Sequence, residues 1–246
     1  MNYLGLGFVA LFFVLMLVFR VINSRRKSRN LRDIPAFYRL GGAIELSVED
    51  GTRVHVSIGR NSIIGPRSAS ALVGLSMLGK ITRTAADGDH PPVASAGDAT
   101  LALLAQDTLR GTYQSLGMLD SYDHSLGRAT GLTPYSYAAG TIPIILDEDV
   151  SANVLAGSFG EEIALTTITA ERKDSFTLAG SDNLTGQAVL YATADDPLIG
   201  EELYAGGAYL DVSPLHVASL HAQDLIRYLL VIIIIGTTIA NILGIF

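Results

Sequence analysis

The sequence predicts an α/β protein: a Rossmann-like, mainly parallel sheet flanked by helices, with one transmembrane helix at each end. Three observations carry this expectation. Both ends of the chain run uncharged for about the length of a membrane span. The stretch between them repeats one pattern, a short apolar strand followed by a glycine turn, a polar cap and a helix. Charge is partitioned, basic beside the first apolar segment and acidic over the remainder.

From Tyr3 to Phe19 no residue is charged, and at roughly 1.5 Å per residue the segment crosses most of a hydrocarbon core. Arg20, Arg25, Arg26, Lys27, Arg29 and Arg32 follow this segment and nothing basic precedes it. A cleavable signal has the opposite order, so the segment reads as an uncleaved anchor. By the positive-inside rule the basic cluster stays in the cytoplasm. The second uncharged run, Tyr228 to Phe246, follows Asp224 and Arg227. The expectation is a two-pass protein of the cell inner membrane, with both termini outside and the central domain cytoplasmic. A buried core helix is the competing reading of either segment. Gly236, Ala240 and Gly244 recur every fourth residue and form a small-residue stripe, which fits packing against the first helix as a hairpin or homodimerisation.

The expected boundaries are residues 1–22 for the first span, 23–52 for a basic juxtamembrane segment and leading helix, 53–210 for the α/β domain, 211–223 for a linker and 224–246 for the second span. Residues 33–246 hold 11 basic against 24 acidic side chains. That excess argues against nucleic acid as a partner and leaves the basic segment to face anionic lipid headgroups. With no cysteine in the chain, disulfides, thiolate metal sites and cysteine nucleophiles are excluded.

Within the domain, Asp33–Asp50 has helical spacing. Arg53–Ile58 alternates around Val54, Val56 and Ile58 and stops at Gly59, as a short strand does. A helix follows over 67–86, ended by Gly88, Pro91 and Pro92. Val93–Ala96 leads through Gly97 and Asp98 into a helix reaching Leu116. Asn153–Ala156 leads through Gly157, Ser158 and Gly160 into a helix starting near Glu161 and Glu162. Phe176–Ala179 leads through Gly180, Ser181 and Asp182 into Leu184–Ala194. Asp120–Thr133 reads as a loop. Residues 134–150 fit a helix capped by Thr133 or, through Ile142–Ile145, a strand. Residues 197–210 read as a final helix weakened by Gly206 and Gly207.

Parallel strands that feed helices place all such turns on the carboxyl edge of the sheet. Gly59, Asn61, Gly97, Asp98, Gly157, Ser158, Gly180, Ser181 and Asp182 are therefore the candidate ligand-binding residues, suited to a small anion because helix starts offer free N–H groups. The competing reading is that the polar residues only cap their own helices. The turns match no complete nucleotide signature, so the cofactor stays open. Gly74–Lys80 has Walker spacing, yet Ile81 replaces the metal-binding hydroxyl, and Gly5, Gly7 and Ala10 mimic a dinucleotide fingerprint inside the first span. His216 and His221 lie off one helical face with no partner carboxylate motif, and no metal site is expected. Ala156-Gly157-Ser158-Phe159-Gly160 is a relaxed nucleophile elbow, and Asp195 or Asp196 and His216 or His221 follow in hydrolase order. Ser158 is thus the single candidate nucleophile, weakened by the missing first glycine.

Three stretches, Arg32–Leu40 (RDIPAFYRL), Ala105–Tyr113 (AQDTLRGTY) and Ala179–Leu210, resemble an uncharacterised bacterial family of membrane-anchored proteins. The resemblance runs from about Arg32 to the second apolar helix. It implies a double-anchored layout and carries no activity or catalytic residues to transfer. The function expected from the sequence is a membrane-anchored ligand-sensing or scaffolding module. The alternative is a hydrolase or transferase working at the carboxyl edge through Ser158.

Overall fold

The computed structural model describes residues 3–24, 31–65, 68–210 and 214–243. Gly244 and most of the basic cluster lie outside these residues. The chain divides into two units, the terminal pair of helices and the α/β unit Ile34–Leu210.

The first unit holds α1 (Tyr3–Ser24) and α9 (Pro214–Ile242). Both are long and apolar enough to cross a membrane. The two pack together, and the Phe19 ring stacks on His221 with centroids 5.8 Å apart. Gly236 does not serve that contact, since a Cβ built there would meet no atom within 4 Å.

The α/β unit runs α2 (Pro35–Glu49), β1 (Arg53–Ser57), α3 (Ser68–Ala85), β2 (Val93–Ala96), α4 (Ala99–Leu116), β3 (Gly127–Ala129), α5 (Pro134–Asp147), β4 (Val150–Gly157), α6 (Ile163–Arg172), β5 (Phe176–Ser181), α7 (Leu184–Thr193), β6 (Asp196–Leu198) and α8 (Glu202–Tyr209). Its six strands form one parallel sheet in the order β3-β2-β1-β4-β5-β6. That is a doubly wound arrangement, whose connections change direction between β1 and β4.

The two faces of the sheet differ chemically. Val54 and Val56 of β1, with Ile58 just after it, join Ala152, Val154 and Ala156 of β4 in an apolar core with α2, α3, α4 and α8, through Leu40, Ile44, Met77, Ile81, Leu109 and Leu203. The opposite face has smaller apolar clusters against α5, α6 and α7, centred on Tyr137, Leu155, Phe159, Ile163 and Leu190, and on Ile144 and Val150. Between these clusters it buries polar residues of β1, β2 and β4, among them His55, Ser95 and Asn153. The β1–β4 register shifts between Arg53 and Val54, so that Ser151 is an extra residue in β4 and Val150 faces the same side as Asn153.

Two elements depart from the sequence reading, and a third that it left open is decided. The loop expected over Asp120–Thr133 contains two short 3-10 turns and the edge strand β3. A Gly-Arg-Ala strand carries no alternation, and β3 is held from outside by its ladder to β2 and by Gln106 Nε2 donating to Gly127 O at 2.8 Å. The open stretch at 134–150 is helix α5 over most of its length. It starts at a capping box between Thr133 and Ser136 with Pro134 in the first turn, and it continues through Pro143. Residues 197–210 divide into β6 and α8. Pro197 is tolerated in β6 because the strand is on the edge of the sheet.

Both ends of the α/β unit leave from one place. Phe37 of α2 stacks on Tyr209 of α8 with centroids 5.0 Å apart, and Arg39 pairs with Asp196 at the amino end of β6. The carboxyl edge lies at the other end of the strands.

Glycine substitutions test this packing. Gly157→Ala would drive a methyl group into the Ile58 carbonyl and is expected to cost about 3 kcal/mol or more, the upper range for overpacking. Gly111→Ala in α4 meets open space and is expected to stabilise by about 0.5–1 kcal/mol through helix propensity. Denaturation of the full chain in detergent reads both effects.

Candidate functional site

At the carboxyl edge the hydrogen-bond ladder continues past the strand ends. Ile58 N donates to Ser95 O at 2.9 Å, Gly97 N to Gly59 O at 2.9 Å, Arg60 N to Ser158 O at 3.2 Å and Asp182 N to Gly157 O at 3.3 Å. Gly59 has φ +87°, and a Cβ there would sit 2.5 Å from Ser158 N. The turns after β1 and β4 are therefore pressed backbone to backbone and form a closed floor at this edge.

Above that floor lies an ion pair that the sequence reading missed. Arg60 Nε donates to Glu162 Oε1 at 2.7 Å, and the same oxygen accepts from Gly160 N at 3.0 Å. The Glu162 side chain is 1% exposed and that of Arg60 22%. Gly97 makes the arrangement possible, because a Cβ there would lie 2.5 Å from Arg60 Cγ and 3.0 Å from the Tyr137 ring. No periodic pattern marks such a pair, since its partners are 102 residues apart.

The predicted site residues divide by role. Asp98 caps α4, accepting from Thr100 N at 2.9 Å and Leu101 N at 3.1 Å, so those donors are occupied. Ser181 is fully buried. Its hydroxyl donates to Phe159 O at 2.9 Å and accepts from Phe159 N at 3.0 Å and Asn183 N at 3.1 Å, which ties the β4 turn to the β5 turn. Gly180 lies against Leu198 and Leu203. Asp182 Oδ2 accepts from Ser70 Oγ at 2.8 Å, while its buried Oδ1 has no hydrogen-bond partner among the described residues. Asn61 is half-buried.

Ser158 is 5% exposed, and its hydroxyl forms no hydrogen bond among the described residues. It does not cap α6, which begins at Ile163 with Glu162 in the cap position. Asp195 and Asp196 stand at the amino end of β6, on the opposite edge of the sheet. Asp195 Oδ2 accepts from Thr177 N at 2.8 Å and Asp196 pairs with Arg39. His221 Nδ1 lies 2.9 Å from Val217 O within α9. The serine and acids that follow hydrolase order in the sequence are thus separated by the length of the strands. Among the described residues no three His, Asp or Glu side chains form a group fit to hold a metal.

The polar face of the sheet contains a second cluster. His55 Nδ1 lies 3.0 Å from Asn153 Oδ1, and His55 Nε2 lies 2.8 Å from Ser95 Oγ. Tyr137 OH closes the cluster over Ser57 and Ser95. With Asn153 Oδ1 as acceptor, Nδ1 carries the proton and Nε2 accepts from Ser95. This reproduces the hydrogen-bond order of a Ser–His–amide triad, but His55, Ser57, Ser95, Tyr137 and Asn153 are all 0% exposed. The cluster joins β1, β2, β4 and α5 inside the core, and Asn153 Nδ2 is left unpartnered there. The sequence signal was present in Arg53-Val54-His55-Val56-Ser57. In a strand covered on both faces, the polar half of that alternation must point into the protein.

Burial holds the His55 imidazole down at about 4, against 6.5 for a free histidine. The Asn153 bond and the Glu148 charge oppose that shift and Arg128 adds to it. Folding therefore requires the neutral ring. The stability that depends on it is complete above pH 6.5 and falls as the pH drops toward 4, because only the unfolded chain takes up the proton. The slope reaches about 1.4 kcal/mol per pH unit. The stability difference between the parent chain and His55→Gln, measured by denaturation from pH 7 to 4, is expected to shrink with acid. A constant difference would contradict the neutral buried ring.

No curated protein and no solved structure matches the chain. One family does, over residues 2–246. The chain, an α/β unit between two long apolar helices, belongs to the family described as a domain of unknown function (DUF6754).

Proposed function

We propose that this chain is a membrane-anchored binding module that senses a small ligand at the carboxyl edge of its sheet and performs no chemistry of its own. The observation that carries this reading is the construction of the switch point. Its floor is shut by the Gly59–Ser158 backbone approach, its side chains form a fixed Arg60–Glu162 pair, and the Ser158 hydroxyl has no hydrogen bond to a base among the described residues. An acyl-transfer site needs a hydroxyl within hydrogen-bond reach of a base and open to substrate. The sites in this edge that are fixed and polar suit recognition.

The topology belongs to the same proposal. The apolar helices are spans of the cell inner membrane, the basic residues after α1 hold the domain in the cytoplasm, and both termini face outward. A homodimer through the Gly236 side of α9 is supported by the open space around Gly236.

Cysteine can be placed freely in a chain that has none. Asp87→Cys is expected to be shielded from a membrane-impermeant maleimide in intact cells, and cysteines at the two termini to react. The reverse pattern would invert the topology. Gly236→Ile is expected to leave the fold intact and lower the fraction of dimer. Unchanged mass would exclude that face of α9. A fluorophosphonate probe is expected not to label Ser158, and labelling abolished by Ser158→Ala would replace the binding reading with a hydrolase. Native mass spectrometry of the full chain released from membranes is expected to show a bound small molecule that raises its melting temperature.

A further inference from the structure

We infer that the Arg60 guanidinium, oriented by Glu162, is the receptor for a carboxylate group on the ligand of the carboxyl edge. The inference rests on the binding reading above and names its ligand class.

Arginine offers five N–H donors in a rigid fork. Arg60 uses only Nε, which donates to Glu162 Oε1 at 2.7 Å. Its two η-nitrogens have no partner among the described residues and are not among the buried unpaired atoms, so they reach solvent. The rest of the side chain is fixed. Its Cγ lies in the space left by Gly97 beside Tyr137. Glu162, 1% exposed, is itself tied to Gly160 N at 3.0 Å. A guanidinium anchored at Nε presents its η-nitrogens as a two-pronged end, which matches the two oxygens of a carboxylate. Holding the side chain before the ligand arrives removes rotamer entropy from the cost of binding.

The charges and donors around Arg60 select the class of anion. Phosphate at the edge of a doubly wound sheet is held by free N–H groups at helix starts. Two of those of α4, Thr100 N and Leu101 N, are taken by Asp98. In the first turn of α6, Ile163 N donates to Gly160 O and Ala164 N to Glu161 O. Glu162 already offsets the Arg60 charge, and exposed Glu161 stands beside it. A dianion meets the charges of Glu161 and Glu162 there, and the Thr100, Leu101, Ile163 and Ala164 backbone donors are already used. A single carboxylate needs only the fork. Glu162 is a positioning residue in this scheme, acting through Arg60.

Phenylglyoxal, which condenses with accessible guanidinium η-nitrogens, tests the inference on the full chain in detergent micelles, with adducts mapped by mass spectrometry. Arg60 is expected to be modified. Acetate and succinate should slow that modification severalfold relative to chloride at equal ionic strength, while exposed Arg110 serves as the control and keeps its rate. Glu162→Gln is expected to weaken the protection by roughly tenfold, the loss of one charge-assisted contact's orientation, while a structural role alone would change melting temperature and not protection. No modification of Arg60 would refute open η-nitrogens. Modification without protection by any anion would refute Arg60 as the receptor, and protection by inorganic phosphate but not by acetate or succinate would refute the carboxylate class. Arg60→Lys separates these failures from failure of the binding reading. If a co-purified ligand stabilises Arg60→Lys as well as the parent chain, the edge still binds and Arg60 is not its receptor. If no ligand stabilises either chain, the binding reading itself fails.

Discussion

At the ends of β1 and β4 two backbones come closer than any side chain would permit, and the character of the whole edge depends on that contact. Gly59 and Gly157 carry no Cβ, so the turn after β1 can lie on the turn after β4 and exchange hydrogen bonds with it. In a doubly wound sheet this is the place where the connections diverge and a crevice opens. Here the two turns meet as a closed backbone floor. Arg60 leaves that floor directly, with Glu162 waiting five residues past the end of β4.

The two faces of the sheet divide the work of folding. The face toward α2, α3, α4 and α8 is apolar and carries most of the buried aliphatic surface, the main favourable term in stability. The other face is a mixture of small apolar clusters and a hydrogen-bonded polar layer around His55. Such a layer adds little net energy, but each of its bonds has a direction. It fixes where α5 lies, and Tyr137 of α5 reaches from this layer to the Gly97 position that accommodates Arg60. The core network and the edge are thus mechanically joined through one helix.

A Ser–His–amide hydrogen-bond chain buried beneath Tyr137 shows why connectivity alone does not identify an active site. Its distances are those of a hydrolytic relay, yet no atom of it reaches solvent. Conversely Ser158, which lies at the edge, has a strand-turn-helix context and no hydrogen-bonded base among the described residues. The serine with relay geometry is fully buried, and the serine at the edge is itself only 5% exposed and lacks that geometry among the described residues.

Local pattern in the sequence was sufficient for the two long apolar helices, the parallel α/β grammar, the apolar stripe of β1 and the glycine turns at one edge of the sheet. Each of these depends on spacing within a few residues: period two in a strand, a glycine and cap before a helix, an uncharged run long enough for a span. Tertiary structure alone decided β3 and β6, whose three-residue ladders have no internal signal and exist because a neighbouring strand supplies their hydrogen bonds. It also decided which polar residues only cap, as Asp98 does, and which meet across the fold. Arg60 and Glu162 are separated by 102 positions and His55 and Asn153 by 98. Only the pairing of β1 with β4 brings them together, because strand order is set by how all the helices cover the sheet and by no short stretch of chain.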